Sequence, residues 1–336
     1  MFAAVRTAVA APWTWSRAAI AMHPTVSGKR SMSTRVGWIG TGVMGASMAK
    51  HVASAGFDLS VYARSPEKPA VVDLVEATGA RVFDSPAELA SSVDVLCSIV
   101  GFPDDVHAVL LDDVDGALGK AVTNPPSLVI DLTTSQPALA LKIAAAAQAQ
   151  GSDALDAPVS GGDVGARNGQ LSIMVGGSDA AFAAGLPILQ PMAKVVTHMG
   201  GPGAGQHTKM VNQIAIAGGM IGMVEGLVYG HAAGLDLETV LEAISGGAAG
   251  SWSLSNYAPR MLKRDFAPGF YVEHFVKDLG IALDEARAMN LSLPGLALVQ
   301  QLYLALIAQG GAARGTHALQ LALESMNNIQ IKDYSA

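Results

Sequence analysis

The sequence predicts an α/β protein in two parts: a mainly parallel sheet wound with helices over residues 35–198, then helices alone over residues 199–336. Three observations carry this reading. Apolar runs of strand length recur between residues 35 and 198 and alternate with stretches of helical spacing, the pattern of βαβ units. A glycine-rich turn, residues 40–45, stands directly between the first such run and the first helical stretch. After Met199 the strand runs stop, and long Ala/Leu/Met/Gly segments follow, punctuated at Gly234, Gly246-Gly247, Pro268-Gly269 and Pro294.

In chain order, residues 35–39 make a short buried strand and the glycine turn opens a helix reaching residue 55. Residues 58–62 form a second strand, 66–77 a helix and 81–83 a third strand. Ser85-Pro86-Ala87-Glu88 is a helix start, with serine as the cap, proline at the first helical position and glutamate three residues on. Further strand runs lie at 93–100, 128–131, 154–157, 171–175 and 194–198. A boundary falls near 198–202, where Gly200-Gly201-Pro202-Gly203 is the one hinge-like stretch; the chain has no internal repeat and no low-complexity linker.

Half of the 336 residues are hydrophobic and 15% are charged, enough apolar material for two domains with their own cores. A net charge of −7 with no basic stripe argues against a nucleic-acid partner. The single cysteine, Cys97, excludes an internal disulfide and a cysteine-cluster metal site, and no metal is expected. In the run Val-Leu-Cys-Ser-Ile-Val it reads as a small hydrophobe in a strand.

Residues 1–34 differ from the rest. They carry Arg6, Arg17, Lys29 and Arg30, many Ala and Ser, and no acid; the first acid of the chain is Asp58. Basic, serine-containing and acid-free is the pattern of an organellar transit peptide, here read as mitochondrial with chloroplast as second choice. A disordered terminus is the competing reading, and a secretory signal is disfavoured because Arg17 interrupts the apolar core it would need. The longest apolar stretch after that, residues 214–224, falls short of the roughly 18–20 residues of a membrane span, so no membrane partner is expected. Gly218, Gly222 and Gly226 share one helical face along it, which predicts a buried core helix approached closely by another helix or by a second subunit.

Gly40-Thr41-Gly42-Val43-Met44-Gly45 follows a strand and opens a helix, the context a dinucleotide fingerprint requires. Gly40 permits the tight turn, Gly42 the approach of a pyrophosphate to the backbone, and Gly45 close packing of helix on strand. The expected N-terminal fold is therefore a Rossmann dinucleotide-binding domain, ahead of an all-helical C-terminal domain. At the end of the second strand, where NAD enzymes carry an acid, the chain reads Val61-Tyr62-Ala63-Arg64-Ser65. Arg64 with Ser65 suits a 2′-phosphate, which favours NADP over NAD; the plainer alternative is that Arg64 is a solvated loop cation.

Asp156-Ala157-Pro158-Val159-Ser160-Gly161-Gly162 follows a strand, at the edge where open α/β sheets bind ligands. The Ser160 hydroxyl and the amides of Gly161 and Gly162 form a donor cradle for a carboxylate, or merely an ordinary turn. Lys209 is the only Lys, Arg, Asp or Glu between Ala204 and Glu225, so its ammonium sits in an apolar helix. Asn212, three residues on, shares its face, and Gln213 is close by. Partly desolvated, such a lysine loses its proton more easily and can exchange one with an alcohol or alkoxide. The alternative is that it snorkels out to water.

These segments resemble the β-hydroxyacid dehydrogenase family, which includes 3-hydroxyisobutyrate dehydrogenases, tartronate semialdehyde reductases and glyoxylate/succinic semialdehyde reductases. The resemblance runs from Val36 to about residue 325. It rests on Val36–Gly45, on Asp131-Leu132-Thr133-Thr134-Ser135, on Pro158–Gly162, on Gly203 through Gln213, and on Phe275-Val276-Lys277-Asp278-Leu279. It implies that Lys209 is the acid/base, that Thr134 touches the cofactor, and that Lys277 lies near nicotinamide and substrate. From its residues alone the Lys277-Asp278 pair reads as a surface salt pair. The resemblance further implies a homo-oligomer, dimer or tetramer.

Two departures stand out. Where the family often has Asn-Asn this chain has Asn212-Gln213, and the second strand ends without the acid of the NAD-preferring enzymes. The second resembles the NADPH-using reductases, whereas the leader and Gly250-Ser251-Trp252 resemble mitochondrial hydroxyisobutyrate dehydrogenase-like proteins. The leading expectation is oxidation of 3-hydroxyisobutyrate to methylmalonate semialdehyde. The alternatives are an NADPH-dependent semialdehyde or glyoxylate reductase and a non-catalytic cofactor-binding module. A phosphogluconate-type enzyme is disfavoured, because the large C-terminal extension and that family's histidine beside the lysine helix are missing.

Overall fold

The computed structural model describes residues 33–335. The expected transit peptide, residues 1–34, lies outside the described residues except for its last two. The strands are β1 (Arg35–Ile39), β2 (Asp58–Tyr62), β3 (Arg81–Phe83), β4 (Val95–Ser98), β5 (Leu128–Asp131), β6 (Asp153–Asp156), β7 (Val159–Ser160), β8 (Leu171–Gly176) and β9 (Ala193–Gly200). They form one sheet in the order β3-β2-β1-β4-β5-β6-β8-β7, with β9 added to β8. The first six strands are parallel, as the βαβ alternation requires. The polarity changes at β8, which runs antiparallel to β6 and β7. Strand order reverses between β1 and β4, the place where doubly wound sheets open a crevice beyond their carboxyl ends.

Side-chain alternation divides the strands between two cores. Val95 and Cys97 of β4 and Leu128 and Ile130 of β5 pack with Trp38, Met48 and Val52, whereas Leu96 and Val129 pack on the other face with Leu89, Leu110 and Ile143. Strands covered on both faces read as continuous apolar runs, which is why β4 and β5 were legible without alternation. Cys97 is fully buried in this core. The strand bounds shift by up to two residues from expectation, and two differences go further. The second helix begins at Pro69 rather than at residue 66, because the residue before a proline is driven out of the helical region, and Lys68 is extended at ψ 138°. The two-residue β7 is too short to carry a periodicity and owes its existence to pairing with β8. The Ser85 cap forms, its hydroxyl oxygen accepting from Glu88 N at 3.1 Å.

Among the described residues every strand ends by Gly200, and a third core built only from residues 210–331 follows. Its axis is the helix Ala204–Ala232, 29 residues long. The first turn of this long helix is tied to the sheet. Asp156 Oδ1 accepts from Gly203 N at 2.7 Å and Oδ2 from Gln206 N at 2.8 Å, so a strand-end carboxylate caps the orphan amides. Gln206 in turn accepts from Ser135 N at 2.9 Å and donates to Thr133 O at 2.7 Å.

Of the two approaches expected for the glycine face of the long helix, packing by another helix of this chain is not seen among the described residues. Met210, Ala217, Met220, Val224 and Leu227 form its buried side, whereas Gly218, Gly222 and Gly226 face outward, with nothing within 4 Å of where a Cβ would stand. The chain's own helices pack on the bulky stripe, where there is more apolar area to bury. At 29 residues the helix also exceeds the apolar stretch read from sequence and is long enough to cross a membrane. Its bulky side is packed into the helical core and its first turn onto the sheet.

Candidate active site

At the carboxyl end of β1 the chain turns through Gly40 at φ 95°, where a Cβ would stand 1.9 Å from Ile99 O. Gly45 is equally constrained, its missing Cβ falling 1.9 Å from Gly40 O. Both glycines let helix, turn and β4 close on one another. Gly42 differs: it is exposed, its φ of −73° suits any residue, and a Cβ there would meet nothing within 4 Å. The helix Val43–Ser54 begins at Gly42 with no side-chain cap and no acid in its first turn. Its leading amides, flanked by half-buried Thr41 and Met44 and exposed Val43, thus face open space with their partial positive charge. A dinucleotide's diphosphate fits this opening, and the residues present suit the group the fingerprint implies.

Arg64 and half-buried Ser65 follow β2. The Arg64 side chain is 75% exposed, and its Nη1 lies 3.3 Å from Asp105 Oδ1. Asp105 itself is held by Phe102 N, which donates to Oδ2 at 3.2 Å. Sequence reasoning missed Asp105, forty-one positions downstream, since only the pairing of β1 with both β2 and β4 brings the two loops together.

A second group gathers where the sheet meets the helical core. Gly161 at φ 135° and Gly162 at φ 61° need glycine, and they carry the chain out of β7 with their amides beside Ser160. Lys209, one turn beyond the Asp156 cap, is 6% exposed and donates from Nζ to Val159 O at 2.8 Å. It does not snorkel. Burial pushes its ammonium down to about 8; the Asp278 carboxylate opposes this and Lys277 adds to it. Asn212 is half-buried, with its Oδ1 accepting from Ser160 Oγ at 3.4 Å.

Lys277 completes the group. It lies on the helix Val272–Ala288, and its Nζ donates to Thr134 O at 2.6 Å and reaches Gly101 O at 3.4 Å. It thereby joins the helical core to the ends of β4 and β5. The surface salt pair read from Lys277-Asp278 is corrected here: Lys277 is 12% and Asp278 1% exposed, with Nζ 3.1 Å from Oδ1. Neighbouring chemistry cannot reveal burial in an amphipathic helix, so only the fold shows it. Asp278 and Gln213 are the functional-looking residues that sequence reasoning left without a role. Gln213 is 1% exposed and bonded at both ends of its amide, to Asn212 and to Asp278.

The structure thus brings Ser160, Gly161, Gly162, Lys209, Asn212, Lys277 and Thr134 into one neighbourhood and keeps Arg64 and Ser65 on the far side of the glycine turn, around β2. The arrangement offers amide donors for phosphates, hydroxyl and amide donors for a carboxylate, and a lysine that can carry a proton either way near neutral pH. Among the described residues no three His, Cys, Asp or Glu stand together as metal ligands. A depression of about 550 Å³ lined by Arg35, Asp58 and Arg81 lies at the amino ends of β1–β3, away from this crevice.

Comparison with known proteins gives consistent matches. Residues 35–201 match the family described as the NAD binding domain of 6-phosphogluconate dehydrogenase, and residues 203–323 that described as NAD-binding of NADP-dependent 3-hydroxyisobutyrate dehydrogenase. The chain is 52% identical to the probable 3-hydroxyisobutyrate dehydrogenase-like 1, mitochondrial, of Arabidopsis thaliana, over 89% of this chain and 88% of that one. It is 36% identical to 2-hydroxy-3-oxopropionate reductase of Escherichia coli, over 88% of this chain and 99% of the relative. The solved Mycobacterium tuberculosis 3-hydroxyisobutyrate dehydrogenase with L-serine superposes with a TM-score of 0.77 at 29% identity, over 87% of this chain and 99% of that one.

Proposed function

This chain belongs to the β-hydroxyacid dehydrogenase family of nicotinamide-dependent oxidoreductases acting on CH–OH groups, and on that premise we propose that it oxidises 3-hydroxyisobutyrate to methylmalonate semialdehyde, with Lys209 as general acid/base. One observation carries the reading: a buried lysine, its ammonium pushed down to about 8, is hydrogen-bonded to the carbonyl of the residue directly before the Ser160-Gly161-Gly162 cradle.

In this reading the substrate carboxylate rests on the Ser160 hydroxyl, the amides of Gly161 and Gly162, and the side-chain amide of Asn212. Neutral Lys209 takes the hydroxyl proton as the C–H bond breaks, leaving a carbonyl and an ammonium. NAD or NADP, when bound, supplies the hydride acceptor. Gly40, Thr41, Gly42, Val43, Met44 and Gly45 shape the turn that takes the diphosphate, with Arg64 and Ser65 on a 2′-phosphate in the favoured NADP case. Thr134 and Lys277 stand at the nicotinamide end. Domains of residues 35–198 and 199–336, a mitochondrial address carried by residues 1–34, a role in valine breakdown and a homo-oligomeric assembly belong to the same proposal. The address is supported by the acid-free basic leader and by the mitochondrial naming of the Arabidopsis relative.

A second reading has support of its own: reduction of a small semialdehyde or of glyoxylate with NADPH. Arg64 without an acid at the end of β2 favours it, as does the 36% identity to the Escherichia coli reductase. The deciding experiment measures oxidation of 3-hydroxyisobutyrate and related β-hydroxy acids with NAD and NADP against reduction of tartronate semialdehyde, succinic semialdehyde and glyoxylate with NADPH. Appreciable turnover of the aldehydes alone overturns the dehydrogenase reading. Lys209→Ala serves as control, and unchanged turnover of the preferred substrate there sinks the acid/base assignment.

A further inference from the structure

We propose that Asp105 is a specificity-determining residue for the dinucleotide, its negative charge holding back the preference for NADP that Arg64 confers. The inference rests on the reading of Arg64 as the partner of a 2′-phosphate. Arg64 follows β2 and Asp105 follows β4, and both strands pair with β1. Their ion pair, Nη1 to Oδ1 at 3.3 Å, therefore spans the carboxyl end of β1, where the glycine turn begins. A nucleotide whose diphosphate rests on that turn and whose ribose reaches Arg64 brings its 2′ substituent beside Asp105.

The two partners differ in freedom. The Arg64 side chain is 75% exposed, and a single contact of this kind in water holds a long side chain only weakly. Arg64 can thus turn toward an entering phosphate, and its pre-organisation by Asp105 is worth little. Asp105 has no such latitude. Its side chain is 25% exposed, and its Oδ2 accepts from Phe102 N at 3.2 Å. The carboxylate also packs over Gly101, where a Cβ would stand 3.3 Å from Oδ2. A phosphate monoester carries about −1.5 to −2 charges at pH 7. Held on the far side of the Arg64 guanidinium, it rests about 6–7 Å from the carboxylate, the span of two charge-assisted hydrogen bonds and the group between them. That distance lies within the roughly 8 Å Debye length of physiological salt, so the repulsion is felt. NAD carries a hydroxyl at this place and escapes it. Arg64 and Asp105 therefore act on the same phosphate with opposite sign, and the acid missing from the end of β2 is supplied, in part, from beyond β4.

The test measures dissociation constants for NADP and NAD by calorimetry on the full-length protein and on Asp105→Asn, Asp104→Asn and Arg64→Ala, at about 0.05 M and about 1 M salt. Asparagine keeps an oxygen for Phe102 N, so the loop retains its shape, and the unfolding midpoint of each protein checks this. If Asp105→Asn folds poorly, Asp105→Ser, which also accepts from a backbone amide, takes its place with the same expectations. Asp105→Asn should bind NADP about three- to fivefold more tightly at low salt and change NAD by less than about twofold. Its advantage should vanish at high salt, where screening shortens the reach of a charge to about 3 Å. Asp104→Asn, at the exposed neighbouring position, should move neither nucleotide by more than about twofold. NADP bound no more tightly by Asp105→Asn, NADP tightened equally by Asp104→Asn, or an advantage undiminished in high salt overturns the proposal. Arg64→Ala separates the two readings. If it leaves NADP binding unweakened, the assignment of Arg64 fails by itself, and the Asp105→Asn result still upholds or overturns the role of Asp105.

Discussion

Replacing Lys209 with methionine should stabilise the cofactor-free protein at neutral pH while abolishing turnover. The perturbation removes a buried ammonium and keeps a side chain of similar length and apolar stem. Its magnitude follows from the site. The ammonium's drop from 10.5 to about 8, caused first by burial, means that holding the charge inside costs about 3 kcal/mol at pH 7. Against this, the substitution leaves Val159 O without its donor, a loss of about 1–2 kcal/mol. The expected net gain is about 1–2 kcal/mol at pH 7.

The pH dependence is the sharper signature. Between about pH 8 and 10.5 the unfolded chain holds a proton on Lys209 that the folded protein has released, so wild-type stability rises with pH across that window. The penalty is complete below pH 8 and gone above 10.5. The advantage of the methionine variant should therefore be constant from pH 6.5 to 7.5 and then shrink, changing sign as the wild-type penalty disappears. Denaturant unfolding of both proteins from pH 6.5 to 10 reads the difference, in which the other titrating groups cancel to first order. A variant less stable than wild type at pH 7, with a difference flat in pH, would refute the desolvated-lysine argument and remove the main support for the acid/base role.

The remaining predictions concern the cofactor end. Gly42→Ala should fold with wild-type stability, since a Cβ there meets nothing, yet bind NADP at least about tenfold more weakly by calorimetry. Gly45→Ala, with its Cβ 1.9 Å from Gly40 O, should lose both binding and stability, by about 1–3 kcal/mol in unfolding; equal behaviour of the two variants would contradict the division of labour between them. Arg64→Ala should weaken NADP about tenfold and leave NAD within about twofold, because an arginine 75% exposed contributes little to the fold. An equal loss for both nucleotides would reduce Arg64 to a general cation.

Much of the fold was legible because it is written in short-range chemistry. The parallel strands β1 to β6 announce themselves as apolar runs, the glycine turn by its context, and the Ser85 cap by Pro86 and Glu88. Candidate donors such as Ser160 and Asn212 were readable for the same reason, as residue types at fixed spacing. Where reading failed, the deciding partner lay far away in sequence. The stripe of Gly218, Gly222 and Gly226 told of a face that could be approached closely, but which face the chain buries depended on helices up to a hundred residues downstream. Lys277-Asp278 has the composition of a surface pair, and its burial comes from elements at Gly101, Thr134 and Gln213.

The sequence by itself determined that an α/β sheet with a dinucleotide turn precedes a helical region, and that a lone lysine rides an apolar helix beyond it. Periodicity, glycine spacing and the absence of other charges are local properties, so they survive without coordinates. Only the tertiary structure decided what that lysine is. Its proton affinity is governed by desolvation and by Asp278 and Lys277, sixty-nine and sixty-eight residues after it, while Val159, fifty residues before it, accepts its hydrogen bond. Burial and electrostatic coupling are products of packing, and packing is made between segments that know nothing of each other until the chain has folded.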